Sequence, residues 1–276
     1  MLKPRRTLGG YQIWTDVWVR SGWRVQRRTV TGAVRVLDPA RRVVATGPLP
    51  HCLAAAQAMA PSAGRDRAVI LLHGLGQGRF VMRRMERMLG AAGWAVANVG
   101  YPSLRRPLED HAEAVRHVAR ALHDDGARQV ALVGHSLGGL IALTAAAHAA
   151  RDGWPLGRIV LIGSPAQGSA IANRMKNFPP FRLLAGDCGQ AVTPAEAAKI
   201  PIPPAEIAVI AGGNGRRGFN PFLKGDNDGI VSVAETRLPG AETDFLLLPA
   251  VHTMLPRRRA TAAATLRFLE SGRLGA

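Results

Sequence analysis

The sequence predicts an α/β domain built on a doubly wound, mostly parallel sheet with helices on both faces. Six short apolar runs recur along the chain: Ala68–Leu72, Ala95–Val99, Gln129–Val133, Arg158–Ile162, Ile207–Ile210 and Phe245–Leu248. Near-continuous apolar character marks strands covered on both faces. Longer amphipathic stretches separate the runs, and strand alternating with helix over about 200 residues implies parallel pairing through crossovers. With 276 residues and 47% apolar content, the chain can fill one large core.

The first 67 residues read differently. Trp23–Arg27, Ala33–Leu37 and Arg42–Ala45 alternate or carry arginines, with Asp38–Pro39 as the turn between the last two. Residues 1–67 are therefore expected to be a basic N-terminal elaboration forming an antiparallel hairpin at the sheet edge. Tyr11, Trp14 and Trp18 admit two readings. As a helix they share a face and, with Arg20, Arg24, Arg27 and Arg28, would anchor on anionic lipid. As a strand, with Thr15, Val17 and Val19 alternating, they cover the sheet edge, and the alternation favours this reading. Residues 51–60 suit a short helix, and 61–64 a turn into the first core strand. Pro107–His123 is the clearest helix, with Leu108, Ala112, Val115, Val118, Ala119 and Leu122 on one face. Pro107 fixes φ at its start, and Glu109 and Asp110 complement the helix dipole.

Charge is the unusual feature of the composition. Lysine and arginine total 36 against 19 acidic residues, a formal +17. Through Arg67 there are 12 basic and 3 acidic residues, so about half of the surplus belongs to the N-terminal elaboration. Anionic surfaces are the partners such a balance implies. Cys52 and Cys188 stand alone, which excludes a disulfide framework and a zinc motif but leaves one lone bridge open. Met1–Gly10 has basic residues but no apolar stretch behind them, and Leu140–Ala150 is too short to span a bilayer. The expectation is a soluble cytoplasmic protein, peripheral to a membrane if the N-terminus anchors.

Two glycine-rich turns carry the chemistry. The run Gln129–Val133 leads straight into Gly134-His135-Ser136-Leu137-Gly138-Gly139 and then into the small-residue helix Leu140–Ala150. Strand, G-x-S-x-G turn and helix are the parts of a nucleophile elbow. Such a turn strains the serine backbone, and a Cβ at 134 or 138 would collide with the neighbouring chain. The helix N-terminus favours an oxyanion beside Ser136. The first core strand ends in His73-Gly74-Leu75-Gly76-Gln77-Gly78, placed to bring a backbone N–H to the reacting carbonyl. Leu75 and Leu137 N–H would form the oxyanion hole. The spacing of Gly74, Gly76 and Gly78 does not match a dinucleotide fingerprint.

HGLGQ at 73–77, GHSLGG at 134–139, GSPAQGS at 163–169, NDGIVSVAETRL at 227–238 and PAVHTML at 249–255 together resemble the α/β-hydrolase superfamily, in its bacterial esterase and triacylglycerol-lipase branch. The likeness covers about residues 68–269. It implies an α/β-hydrolase catalytic domain over 68–276, with a small cap at about 166–205. It also implies the chain order serine, acid, histidine, and so Ser136, Asp228 and His252 as the catalytic triad. The residues lead the same way. A serine needs a base, and the base a carboxylate to fix its tautomer. Of eight histidines, His252 alone lies just past the end of the last strand. Asp228 has a rival in Asp226, two residues away on the same loop; the glycine after Asp228 and the family match favour Asp228.

Acyl transfer to water through Ser136 is the implied reaction, an esterase or lipase activity on small-molecule or lipid esters. Thioesterases, amidases and acyltransferases would use the same residues. No metal or organic cofactor is required, and no calcium ligand pair can be matched. Met175, Phe178, Phe181 and Leu184 in the cap segment are candidates to line an acyl pocket. A non-catalytic nucleic-acid-binding module is disfavoured, because aromatic residues total only 14 and do not interleave with arginines beyond the N-terminus.

Overall fold

The computed structural model describes residue 7 and residues 9–175 and 188–275. In chain order the elements are β1 (Trp14–Arg20), β2 (Trp23–Arg28), β3 (Val34–Leu37), β4 (Val43–Gly47), α1 (Leu49–Met59), β5 (Arg67–Leu72), α2 (Arg83–Ala91), β6 (Ala95–Val99), α3 (Leu108–Asp124) and β7 (Gln129–His135). There follow α4 (Leu137–Arg151), β8 (Leu156–Ile162), α5 (Ala170–Met175), α6 (Pro194–Ala197), β9 (Ile207–Gly213), α7 (Val233–Thr236), β10 (Asp244–Pro249) and α8 (Arg259–Ser271). Short 3-10 turns cover Arg79–Met82 and His252–Arg257.

The last six strands form one sheet in the order β10-β9-β8-β7-β5-β6, every neighbouring pair parallel. Alternate side chains of one strand feed two separate cores, as the period of two requires. Ala68, Ile70 and Leu72 face α3 and α4 through Val115, Val118, Leu140 and Ile141. Val69 and Leu71 face α2 and α8 through Met85, Leu89 and Phe268. With both faces covered, β5, β7 and β9 lie almost wholly inside, which is why their sequences read as unbroken apolar runs. Pro107 stands at the cap position of α3 rather than inside its first turn, with an extended ψ of 159°.

The N-terminal elaboration differs from the expected hairpin. It is a four-stranded antiparallel meander, β1-β2-β3-β4, forming a sheet of its own instead of extending the parallel one. Its core packs Trp18, Val25 and Val36 onto Cys52 and Ala56 of α1. The aromatic segment is a strand from Trp14, so Tyr11, Trp14 and Trp18 do not make a helical face. Trp18 is only 3% exposed, and the Arg35 guanidinium lies 3.9 Å above the Trp14 ring. Among the described residues an arginine guanidinium lies 4.1–5.9 Å from an aromatic ring centre at five further places, among them Arg237 over Phe245 and Arg257 over Phe80.

A buried ion pair joins the two sheets. Asp16 in β1 accepts from Arg24 at 2.5 Å, from Gln26 at 2.7 Å and from the Gly100 N–H, just past β6, at 2.7 Å. Arg24 in turn donates to the Asn98 carbonyl of β6. Among the described residues no helix is long and apolar enough to cross a membrane.

Candidate active site

The site lies at the carboxyl ends of the parallel strands, where loops from β5, β7, β8, β9 and β10 converge. At the end of β7, Ser136 has φ 55° and ψ −124°, a left-handed conformation that costs a side chain of its kind about 1–3 kcal/mol. Surrounding contacts enforce it. Ser136 N–H donates to the Ile162 carbonyl at 2.9 Å, and Gly139 N–H closes back on the Ser136 carbonyl at 2.9 Å. A Cβ on Gly134 would fall on the Gly138 carbonyl, and one on Gly138 would lie 2.5 Å from the Leu72 carbonyl oxygen. Both glycines singled out in the sequence are thus sterically required. Gly139 is a third, since its Cβ would strike the buried Ser164 side chain, which leans on the Gly134 carbonyl. Ser136 is half-buried while its neighbours on both sides are buried, so the elbow presents this one side chain.

Asp228 and His252 meet beside it. The loop after β9 brings Asp228 to 1% exposure, where Oδ1 accepts from Ile230 and Val231 N–H at 3.0 and 2.8 Å. Its Oδ2 lies 2.6 Å from His252 Nδ1, and its carbonyl accepts the His252 N–H at 2.9 Å. One residue therefore fixes both the ring and the backbone of the histidine. The rival Asp226 is spent elsewhere, accepting from Asn214 and Gly215 N–H to brace the loop. Gly163, at φ 55°, makes room for the pair: a Cβ there would lie 3.3 Å from Asp228 Oδ2 and 3.4 Å from His252 Nδ1. Ser136 Oγ and His252 Nε2 make no hydrogen bond among the described residues, and His135, the residue before Ser136, links the two elements through the His252 carbonyl.

His135, next to the serine, backs onto the same histidine. Its Nε2 is 3.1 Å from the His252 carbonyl, its Nδ1 is 3.0 Å from Gln77 Oε1, and the two imidazoles sit 4.8 Å apart. Burial, followed by the neighbouring His252, holds its pKa well below the ordinary histidine value, so it is neutral. His73 stacks on Tyr101 at 4.0 Å and is lowered to about 4, chiefly by burial. Both are supports of the two turns, as their place inside the motifs suggests.

The turn after β5 closes against the elbow. A Cβ on Gly74 would lie 3.1 Å from Ser136 Cβ, so glycine lets the two turns touch. Leu75 and Leu137, the expected oxyanion donors, both have backbone N–H groups with no acceptor among the described residues. Leu137 opens α4, where N–H groups have no helical partner and the dipole is positive.

Phe178, Phe181 and Leu184 lie outside the described residues, and Met175 ends α5 about one-third exposed. The apolar hollow beside the elbow helix, about 240 Å³, is walled by Leu140, Leu143, Ile200, Ile202 and Leu238, without Met175. A larger hollow of about 710 Å³ lies at the amino ends of the strands, between Arg67, Arg128, Arg158 and Glu206, on the side away from Ser136. Among the described residues no group of three or more His, Cys, Asp or Glu could hold a metal ion. Sequence reasoning did not anticipate Gln77, Gly163 and Ser164 as supports, although all three lie inside the quoted motifs.

Known structures share this architecture. The mature lipase BlEst2 of Bacillus licheniformis superposes with a TM-score of 0.59 at 18% identity, over 77% of this chain and 94% of its own. The lin2722 gene product of Listeria innocua gives 0.53 at 21% identity, covering 75% and 94%. The metagenomic carboxyl esterase MGS0156 gives 0.53 at 15% identity, covering 75% and 76%. No curated protein sequence matches the chain. The family model described as "Alpha/beta hydrolase family" matches residues 69–271, nearly the whole of the parallel-sheet unit, and the chain belongs to that family.

Proposed function

We propose that the protein is a serine hydrolase that cleaves carboxylic esters through an acyl-enzyme on Ser136. The observation that carries this reading is the buried Asp228–His252 pair beside a serine held at positive φ. Asp228 keeps the proton of His252 on Nδ1, which leaves Nε2 as the base. His252 takes the Ser136 hydroxyl proton while Oγ bonds to the ester carbonyl carbon. The carbonyl electron pair moves onto oxygen, where Leu75 and Leu137 N–H donate to it. Collapse of this intermediate breaks the bond to the alcohol, which leaves with the proton from His252. Water then follows the same route: His252 takes its proton as the hydroxide bonds to the acyl carbon, and collapse breaks the bond to Ser136 Oγ, which takes the proton back from His252 as the carboxylic acid is released. No step requires a cofactor.

Esters are the first substrates to test because structures of similar fold include a lipase and a carboxyl esterase. Rates on p-nitrophenyl esters of increasing acyl length test the proposal, with Ser136→Ala expected to lose at least about 10⁴-fold in kcat. Undiminished turnover in that variant ends it. A maximum at long acyl chains assigns a lipase, and one at short chains an esterase.

A further inference from the structure

We propose that Tyr11 and Gln12, from the N-terminal elaboration, are positioning residues that hold the oxyanion turn 74–77 in its working orientation. This rests on the reading of Leu75 N–H as an oxyanion donor. The segment preceding β1 reaches across the molecule and grips that turn. Tyr11 OH donates to the Gly76 carbonyl at 2.6 Å, and Gln12 Nε2 donates to the Gln77 carbonyl at 2.8 Å. The same Nε2 donates to Ser103 Oγ at 3.0 Å, and Gln12 Oε1 accepts from Leu104 N–H at 3.2 Å. Ser103 Oγ also accepts from Gly76 N–H at 3.0 Å.

The backbone donors of the turn show what the grip accomplishes. Gly74 N–H is taken by Gln77 Oε1, Gly76 N–H by Ser103 and Gln77 N–H by the Gly74 carbonyl. Leu75 N–H alone among the four has no acceptor in the described residues. A glycine-rich turn left to itself would rotate its peptides to satisfy that donor or exchange it with water. With the donors on either side engaged, and both following carbonyls held from the N-terminal segment, rotation would break existing hydrogen bonds. The donor stays aimed and unsatisfied, as electrostatic preorganisation requires. Gln12 itself sits at φ 53°, unusual for its type, and its side chain's three hydrogen bonds offset that cost.

The test compares Gln12→Ala, Tyr11→Phe and the double variant with Thr29→Ala. Thr29 bonds the Ile13 carbonyl in the same elaboration but does not touch the turn. Two readouts are needed: kcat and KM on p-nitrophenyl butyrate, and the rate at which a p-nitrophenyl alkylphosphonate labels Ser136. Removing a whole oxyanion donor costs about 10²–10³ in kcat, so loosening one is expected to cost about 10–100-fold, with KM within about 3-fold. Labelling should slow in parallel, and Thr29→Ala should match wild type in both. Unchanged kcat and labelling in the double variant would overturn the proposal, as would an equal loss in Thr29→Ala. Tyr11 is half exposed, so Tyr11→Phe remains informative if Gln12→Ala does not fold. A wild-type protein whose Ser136 fails to react overturns the serine-hydrolase reading itself, and this inference with it.

Discussion

Two turns meet at the candidate site, and different means hold them in place. The elbow at 134–139 is fixed by its own backbone: three glycines fit where no Cβ could, and Ser136 is held by the Ile162 carbonyl of β8 and by Gly139 N–H. The turn at 74–77 is fixed by side chains from far along the chain, Tyr11, Gln12 and Ser103. The first arrangement is rigid because any change collides. The second is rigid only while its donors and acceptors stay paired, so it can be loosened without being destroyed.

Breaking the elbow side should have the largest effects. Asp228→Asn is expected to lower kcat by about 10⁴-fold, because the wrong tautomer of His252 is then favoured. Asp226→Asn should stay within about 10-fold, and ester hydrolysis by the purified variants separates the two. If both fall equally, the assignment of the acid is wrong. Gly138→Ala pushes a methyl against the Leu72 carbonyl and should cost about 3 kcal/mol, lowering the melting temperature by about 5 °C. A thermal scan showing no shift would mean that the elbow can open.

The smallest effect concerns buried histidines that support the turns and their surroundings. His111, in α3 beside Tyr101, is lowered to about 4, chiefly by burial, and lies 2.9 Å from the Arg105 carbonyl. The folded protein keeps it neutral, while the unfolded chain takes up a proton below its ordinary value of about 6.5. Stability from this source is therefore complete above about pH 6.5 and falls as the pH drops towards 4. His111→Gln should flatten the slope of unfolding free energy between about pH 5 and 6 by roughly 1 kcal/mol per pH unit. Urea titrations at those pH values measure it, and an unchanged slope would place a charged His111 in the folded protein.

The same contrast explains what was legible in the sequence. Ser136 and His252 each follow closely on a strand marked by an apolar run, Asp228 lies on the loop after another such strand with a glycine behind it, and glycines stand where the backbone admits nothing else. Local pattern suffices for such features. The grip on the turn at 74–77 leaves no local trace, because Tyr11 and Gln12 lie 65 residues from the carbonyls they hold. The closing of β1–β4 into a sheet of their own leaves no local trace for a related reason. The alternation of Thr15, Val17 and Val19 marks β1 as a strand, but Asp16 between them is buried and the chain shifts register between Asp16 and Trp18. Only the partners supplied by Arg24, Gln26 and Gly100 make an aspartate an interior residue at that position.

The arginines laid over tryptophan and phenylalanine rings give the surface a further property. Of 36 basic residues only four are lysines, Lys3, Lys176, Lys199 and Lys224. Planar guanidinium groups suit stacking in a way that an ammonium does not. Amine chemistry, whether enzymatic acetylation, an activated-ester dye or coupling to a solid support, therefore meets few side chains on this protein. Such treatment would leave most of its positive charge in place, and labels attached this way would sit at a handful of definable positions.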